Sequence, residues 1–569
     1  MAKIKPLPND VVQLIAAGEV IDSLGAVVRE LAENAIDAGA TRIGIEINLN
    51  LWKIRVTDNG HGMDLEDLEL CATPHSTSKI GDRRDLAHIA SLGFRGEALY
   101  SIALVANLNI ASCTAGDTGY LLKAYQDDIS TASLHPMSVG SIVTVDRLFE
   151  NFPVRRNALP SLSQQLKTIQ QIIHHLALCY PHITWQVSKN NQPWFQVAAG
   201  ETAIDVLPQL LKVIAPNDLV DRRFTTAELG LLEEDCALEL VVGLPDRCHR
   251  HQPDWLKLAV NGRVVKFPIL ENTIIKAFYR TLPRDRHPVC FAHLRLPPHQ
   301  IDWNRHPAKS EIYLQHQDFW QEIIKTAIAK TLRLSDANLP KLENQRVLDL
   351  MIAAEPKAEY SVEPQTQAIA EPEKQHPTTK NLDLRIIGQS RNTYILVEHD
   401  AGLWMVEQHI AHERFLFEQL QHQWQLIPAP SPVILGNLTA KQLEQLTDNL
   451  GLTLEPFGTN LWKITTIPAA LQTYPDLEAA LLELADGGDL GTAQAAIACR
   501  TAVKNGTPLT QQQMEEIIGQ WQNTQNPHTC PHGRPIYLSL EETSLYRFFR
   551  RHWVLGKSHG ITEIKSPKK

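Results

Sequence analysis

The chain has 569 residues, 43% hydrophobic and 21% charged, a globular composition whose length implies three or four domains. No stretch approaches the ~20 consecutive apolar residues of a membrane span, and the opening MAKIKPLPND lacks the apolar run and cleavage pattern of a secretion signal. A net charge of −10 confines any affinity for nucleic acid to local basic patches, and eight scattered cysteines are expected as reduced thiols of the cytosol, some available to metal.

The stretch VVRELAENAIDAGA, residues 27–40, reads as a helix ending at Ala38-Gly39-Ala40, with Val27, Leu31 and Ala35 on one side. Glu30 and Asn34 are four apart and stack one turn above the other. An acid and an amide so placed can hold a metal ion and activate water, or can be a plain solvated face. Next, Ile43, Ile45 and Ile47 alternate with polar residues, as do Ile54 and Val56, which predicts a hairpin running into Asp58-Asn59-Gly60-His61-Gly62. A carboxylate at a strand end can accept from a base amino group while the glycines admit the ligand; alone, the same residues mark a turn. Then TPHSTSKI and SLGFRGEAL place Gly93 and Gly96 around Phe94 and Arg95 at the mouth of a helix, Glu97 to Ala106. Amides at a helix start bind anions, and Ser76, Thr77, Ser78 and Lys79 offer further donors, either as a surface loop or as a lid over nucleotide. A fourth piece, VGSIVTV, is a Gly140-Ser141 turn entering a strand.

These four pieces in this order resemble the GHKL ATPase superfamily. The words IAAGEV, ENAIDAGA, DNGHGM, STSKI and GFRGEAL narrow the resemblance to the MutL family of DNA mismatch repair proteins. It implies an N-terminal GHKL ATPase sandwich over 1–215 that binds ATP and Mg2+. Glu30 matches the general base, Asn34 the Mg2+-binding asparagine, and Asp58, beside Gly62, the reader of adenine. Thr77, Lys79, Gly93, Phe94, Arg95 and Gly96 match the phosphate lid. The chain departs from the family's Arg-Pro at Ser23-Leu24 and from its Gly-Thr at Gly140-Ser141.

After NFPVRRNAL, an amphipathic helix is expected around Ile169–Leu178 and strands at 238–243 and 257–266. The segments LAVNGRVVKFP and HPVCFAHLRLPPHQIDWNRHPAKSEIYL resemble the family's ribosomal-S5-like α/β transducer domain, assigned to 216–335. By that resemblance Lys309 reaches the γ-phosphate; Trp303 and Arg305 stand where the family has valines. Arg155, Arg156, Arg263, Lys266, Arg284 and Arg286 supply charge for a groove that follows a DNA backbone without reading sequence. Residues 336–381, with prolines at 356, 364, 372 and 377 and few large apolar side chains, read as a disordered linker.

Order resumes with strands Thr393–Glu398 and Gly402–Val406, then a helix carrying Glu407, His409, Glu413 and Glu418. Cys499 follows an apolar helical run, and Cys530 and His532 lie two apart in a Gly/Pro turn. A Cys-x-His pair with a separate Glu/His cluster can assemble a soft Zn2+-type site with carboxylates for a harder ion. Together EQHIAHERFLFE, ACR, CPHGRP and FFR resemble the endonuclease domain of nicking MutL proteins. The resemblance implies a dimerisation and endonuclease domain over 382–569, with Zn2+ and/or Mn2+ surrounded by Glu407, His409, Glu413, Cys499, Cys530 and His532. Glu407 stands where the family has aspartate. Gln423-Trp424-Gln425-Leu426-Ile427-Pro428 resembles a sliding-clamp peptide, or is a strand with a turn. Residues 429–498 are expected to form an inserted helical subdomain.

The expected fold class is therefore multidomain α/β (α+β). The expected function is an ATP-driven homodimeric clamp that acts in the cytoplasm, on the nucleoid during repair. It would bind DNA without sequence preference, couple mismatch recognition by MutS to downstream enzymes, and nick the strand to be corrected. The alternative is an ATPase matchmaker whose C-terminal metal is structural. A histidine kinase would need a phosphoacceptor helix before the ATP module, and a gyrase a cleavage domain; neither has room.

Overall fold

Ile43, Ile45 and Ile47 are at most 2% exposed, while the residues between them face outward. Burying each contributes up to ~1.5–3 kcal/mol, enough to fix the register of the strand that carries them. In the computed structural model this strand, β1 (Arg42–Asn48), pairs antiparallel with β2 (Lys53–Asp58), Ile45 opposite Val56. The structure describes residues 13, 17–18, 20–74, 76–77, 79, 91–93, 96–125, 128–211, 214–225, 228, 236–302, 312–334 and 382–541. Ser78, Phe94, Arg95, Trp303, Arg305, Lys309, the 336–381 linker and the FFR word lie outside the described residues.

The chain divides into two compact units, the first comprising Met1–Gly243, Gln252–Ala277 and Pro288–Thr331, the second Leu244–His251, Phe278–His287 and Leu332–Lys569. In the first, β1 and β2 are joined by β3 (Asn107–Cys113), β4 (Tyr120–Tyr125), β5 (Asp128–Ile129), β6 (Ser133–Leu134), β7 (Gly140–Asp146), β8 (Thr184–Lys189) and β9 (Gln192–Val197). Among the described residues they form a nine-stranded sheet in the order β5-β4-β3-β7-β2-β1-β8-β9, with β6 on β4. Only the β1–β8 pairing within it is parallel. Helix α1 (Leu24–Asp37) packs on β2 and on α3 (Leu162–Cys179), and α2 (Ala98–Val105) packs on β3. The helices forecast from the sequence at 27–40, 97–106 and 169–178 correspond to these three, the first starting at Leu24 and ending at Asp37.

The same unit holds a second, five-stranded sheet in the order Leu219–Thr225, Ala237–Gly243, Cys290–Arg295, Leu256–Val260, Arg263–Val265. The central Cys290–Arg295 strand runs parallel to Leu256–Val260 and is buried except at Arg295. A parallel neighbour needs a crossover, and helix Pro268–Ala277 lies in that connection and packs on Leu256–Val260.

In the second unit, Arg385–Ser390, Tyr394–His399, Gly402–Glu407 and Tyr537–Glu541 form an antiparallel sheet. Trp404 of this sheet meets Trp521 and Tyr537 in one aromatic core. The chain runs from Glu407 directly into α4 (Gln408–His422), which packs on α5 (Leu490–Thr501) and α6 (Gln511–Gln522). Residues 429–498 are not the helical insert the sequence reading expects. Leu426–Gly436, Leu461–Pro468 and Leu454–Gly458 form a three-stranded sheet, backed by helices including Leu477–Asp486. The run Ile464-Thr465-Thr466-Ile467 explains the difference, because consecutive β-branched residues favour the extended backbone.

Candidate functional site

Helix α1 begins at Ser23, whose hydroxyl accepts from the Ala26 N–H at 3.2 Å. This cap does locally what the sequence departure at Ser23-Leu24 left open. Val27, Leu31 and Ala35 are at most 3% exposed against the core, which fixes the rotation of the helix. Glu30, Asn34 and Asp37 are thereby turned into a cavity of about 630 Å3, which Asp58, Gly62, Thr77, Lys79, Gly93, Gly96 and Ser141 also line. Every described member of the predicted nucleotide set reaches this one cavity.

At one end, Asp58 terminates β2 opposite Ser141 of β7. Its Oδ1 accepts from the Gly60 N–H at 2.9 Å. Burial pushes the Asp58 carboxyl above its usual range, against the backbone N–H groups of Gly60 and Ser141, which pull it down. Gly62 has φ +72°, and a Cβ there would stand 2.1 Å from the Cys113 carbonyl oxygen. Only glycine fits.

At the other end, Asp37 gathers three donors: the Leu92 N–H at 3.0 Å, the Gly93 N–H at 2.9 Å and Lys79 Nζ at 2.5 Å. Lys79 Nζ also lies 3.2 Å from Asn34 Oδ1. A cation thus already rests against the Asn34 amide oxygen, a group that could serve a Mg2+ ion, whose use of protein ligands is sparing. Glu30 lines the same wall, with Oε1 3.3 Å from Arg29 Nη2.

The C-terminal set is brought together in part. Ligand atoms of Glu413, Cys530 and His532 lie within 4.8 Å of one another. His532 Nδ1 is 2.9 Å and Arg534 Nη2 3.6 Å from Glu413, yet both Glu413 oxygens are buried without an aligned hydrogen bond. Burial alone would raise the Cys530 thiol, but hydrogen bonding to His532 and to backbone N–H groups holds it below its ordinary value. The contacts to Cys530 and Glu413 push His532 up to about 9. His409 Nδ1 is 2.9 Å from the Val503 carbonyl, so the ring donates there and its Nε2 lone pair faces Cys499 Sγ at 3.7 Å. Cys499 feels both Glu413 and Cys530. A thiol, an imidazole and a carboxylate with idle buried oxygens form a donor set that fits a Zn2+-type ion. Glu407 stands apart from the three: its Oε2 caps α4 by accepting from the Ile410 N–H at 2.5 Å, while Oε1 is buried without a partner.

Comparison with known proteins bears on the domains that carry these residues. Residues 22–139 match the family described as histidine kinase-, DNA gyrase B- and HSP90-like ATPase, and 222–333 match "DNA mismatch repair protein, C-terminal domain". Residues 387–509 match the MutL C-terminal dimerisation domain. The DNA mismatch repair protein MutL of Microcystis aeruginosa is 54% identical over 98% of this chain and 99% of that protein. The chain belongs to the MutL family. The relative from Rippkaea orientalis is 53% identical over 98% of this chain and 99% of its own length, and that from Methanocorpusculum labreanum 31% over 97% and 100%. The protein therefore carries an ATPase module of the GHKL type and a MutL dimerisation domain. No helix among its described residues is long and apolar enough to cross a membrane.

Sequence reasoning missed Asp37, although its place three residues after Asn34 puts it on the same helix face. It also misplaced Arg263, which is 8% exposed and bound to Glu33 Oε2 at 2.6 Å and so cannot line a DNA groove. Arg156 stacks on Trp52 at 4.3 Å, and Lys266 is exposed. Glu418 takes no part in the metal cluster; it accepts from the Gln525 and Asn526 N–H groups. In the Gln423–Pro428 segment, Trp424 Nε1 donates to the Leu450 carbonyl at 3.1 Å, and Leu426 and Ile427 pack on the local core. Its apolar side chains are already engaged within the unit.

Proposed function

We propose that this MutL-family chain is a homodimeric clamp driven by ATP, coupling mismatch recognition by MutS to later repair enzymes on DNA. The observation that carries the reading is the convergence of Glu30, Asn34 and Asp58 on one cavity. In this reading Asp58 accepts from the adenine amino group, and Glu30 takes the proton of the attacking water. Lys79 leaves Asn34 and turns to the phosphates, together with Thr77, Gly93, Phe94, Arg95, Gly96 and Lys309. Bound Mg2+, held by Asn34, supplies charge neutralisation at the phosphates. Residues 1–215, 216–335 and 382–569 serve as ATPase, transducer and C-terminal domains, joined by the 336–381 linker. Favouring the closed over the open clamp is the only way nucleotide can drive closure.

For the C-terminal centre the reading is metal-dependent nicking of the strand to be corrected. Glu413, Cys530 and His532 would hold Zn2+ or Mn2+, with His409, Cys499 and Glu407 beside them. Support comes from the idle buried oxygens of Glu413 and Glu407. The second reading, a matchmaker with a structural metal, is favoured by the commitment of Glu407 Oε2 to capping α4. The Gln423–Pro428 segment would engage a sliding clamp only by giving up its internal packing.

Two assays test this. Phosphate release from MgATP is expected to fall by at least about 10²-fold in Glu30→Ala, with nucleotide still bound; undiminished hydrolysis would overturn the ATP reading. Nicking of supercoiled plasmid with Mn2+ is expected from the native chain and lost in folded Glu407→Ala and Cys530→Ala variants. No nicking alongside intact hydrolysis leaves the matchmaker.

A further inference from the structure

The Asn261-Gly262 turn of the five-stranded sheet is pinned from several sides. Asn261 Nδ2 donates to the Leu296 carbonyl and Asn261 Oδ1 accepts from the Leu296 N–H, both at 2.8 Å. The Gly262 N–H donates to Nε2 of buried His293 at 3.0 Å. With Nε2 accepting, the imidazole proton belongs on Nδ1, 3.4 Å from Glu239 Oε2. Gly262 has φ +83°, and a Cβ there would stand 2.0 Å from the Tyr180 hydroxyl, so the turn is pressed against the end of α3.

The turn delivers Arg263. Its Nη2 donates to Glu33 Oε2 at 2.6 Å and to the Leu92 carbonyl at 2.5 Å. Glu33 is 2% exposed on α1, between Glu30 and Asn34. The Leu92 residue is therefore held from two directions, its N–H by Asp37 and its carbonyl by Arg263, immediately before Gly93 of the cavity wall. A buried ion pair is weak evidence of a stabilising role, since apolar replacements often serve as well. Its place at the phosphate end asks for another role.

We infer that Arg263 is a positioning residue for ATP hydrolysis, fixing the Leu92–Gly93 end of the phosphate segment and tying it to the five-stranded sheet. The inference rests on the ATP reading of the cavity. Arg263 acts through the Leu92 carbonyl and through Glu33, whose charge it balances beside a polyanionic ligand. Whatever nucleotide does to the Leu92–Gly93 segment is then felt at the Asn261-Gly262 turn, and the reverse holds by linkage.

The test uses the full chain with Arg263→Lys, Arg263→Met, and Arg263→Met combined with Glu33→Gln. Arg263→Met alone takes the guanidinium away from a buried carboxylate and is expected to lower the melting temperature. The double variant removes both charges and is expected to recover it. If Arg263 positions the segment, kcat for MgATP stays down about ten-fold or more in the double variant, while affinity for ADP, read at the Asp58 end, stays at the native level. Arg263→Lys keeps the charge but loses the guanidinium geometry, and is expected to be folded with lowered kcat. Native kcat in Arg263→Lys, or its return in the double variant together with stability, would overturn the inference and leave the ATP reading intact. Absence of MgATP hydrolysis by the native protein would overturn both.

Discussion

The nucleotide cavity and the C-terminal cluster treat their carboxylates in opposite ways. Asp37 has three donors from the protein itself, and Asp58 and Glu33 each have a named partner. Both Glu413 oxygens, by contrast, are fully buried with no aligned donor, although His532 and Arg534 stand close. The neighbouring His532 and Arg534 offset part of the cost of burying that charge. The first site is built to hold its shape before the ligand arrives; the second is built around a charge that a cation would complete. The difference separates preorganised polar groups from groups whose stabilisation depends on binding.

The largest expected effect breaks the comparison at the C-terminal end. If the cluster takes Zn2+ as proposed, the native protein is expected to gain ~2.7 kcal/mol by mass action at about 100 times the Kd. Glu413→Gln should forfeit that gain and, in chelator, melt below the native protein, because the substitution also removes the carboxylate that His532 and Arg534 face. Thermal melts with and without Zn2+ read both. A variant that still responds to Zn2+ as the native chain does would remove Glu413 from the metal centre.

The second effect falls on the cavity and has the opposite dependence. Asp37→Asn replaces an acceptor of three hydrogen bonds by an amide whose NH2 would face either the Leu92 N–H or the Gly93 N–H and Lys79, whichever way it is turned. The expected loss is about 1–3 kcal/mol, seen in the melt of the first unit and unchanged by added metal. Insensitivity to the substitution would mean that the site is not preorganised by Asp37.

The two regions were also unequally legible in the sequence. Helix α1 and the β1–β2 hairpin declare themselves by period, and the stacking of Glu30 on Asn34 follows from four-residue spacing. Cys530 and His532 stand two apart and announce a ligand pair. That Glu413, rather than Glu407, joins them depends on how α4 packs beside the Cys530 turn, which no local pattern carries. Arg263 shows the same gap: its charge is visible in the sequence, but its burial against Glu33 is a property of two distant segments meeting. Residues 429–498 were misread because the alanine- and leucine-rich stretches around the β-branched run speak more loudly than four residues do.

The smallest effect sharpens the comparison within the first unit, where Glu239 is another carboxylate satisfied by the protein. Burial would raise it, but the His293 hydrogen bond and Arg295 win and hold it down from 4.5 to about 2. Arg223 faces it as well, at 3.8 Å. A depressed folded-state pKa means the unfolded chain takes the proton first, so the stabilisation is fully present above pH 4.5 and is lost as pH falls toward 2. His293, lowered chiefly by burial, adds a loss that starts higher, as pH falls through its ordinary 6.5, because a second ring proton would evict the Gly262 N–H from Nε2. Glu239→Gln should therefore melt below the native protein at pH 6, with the gap closing between pH 4.5 and 2 while the His293 slope persists in both. Hydrogen exchange at the Gly262 amide distinguishes the two contributions, since only protonation of His293 removes its acceptor. A gap that stays constant across this window would show that Glu239 carries no charge-dependent share of the turn that holds Arg263.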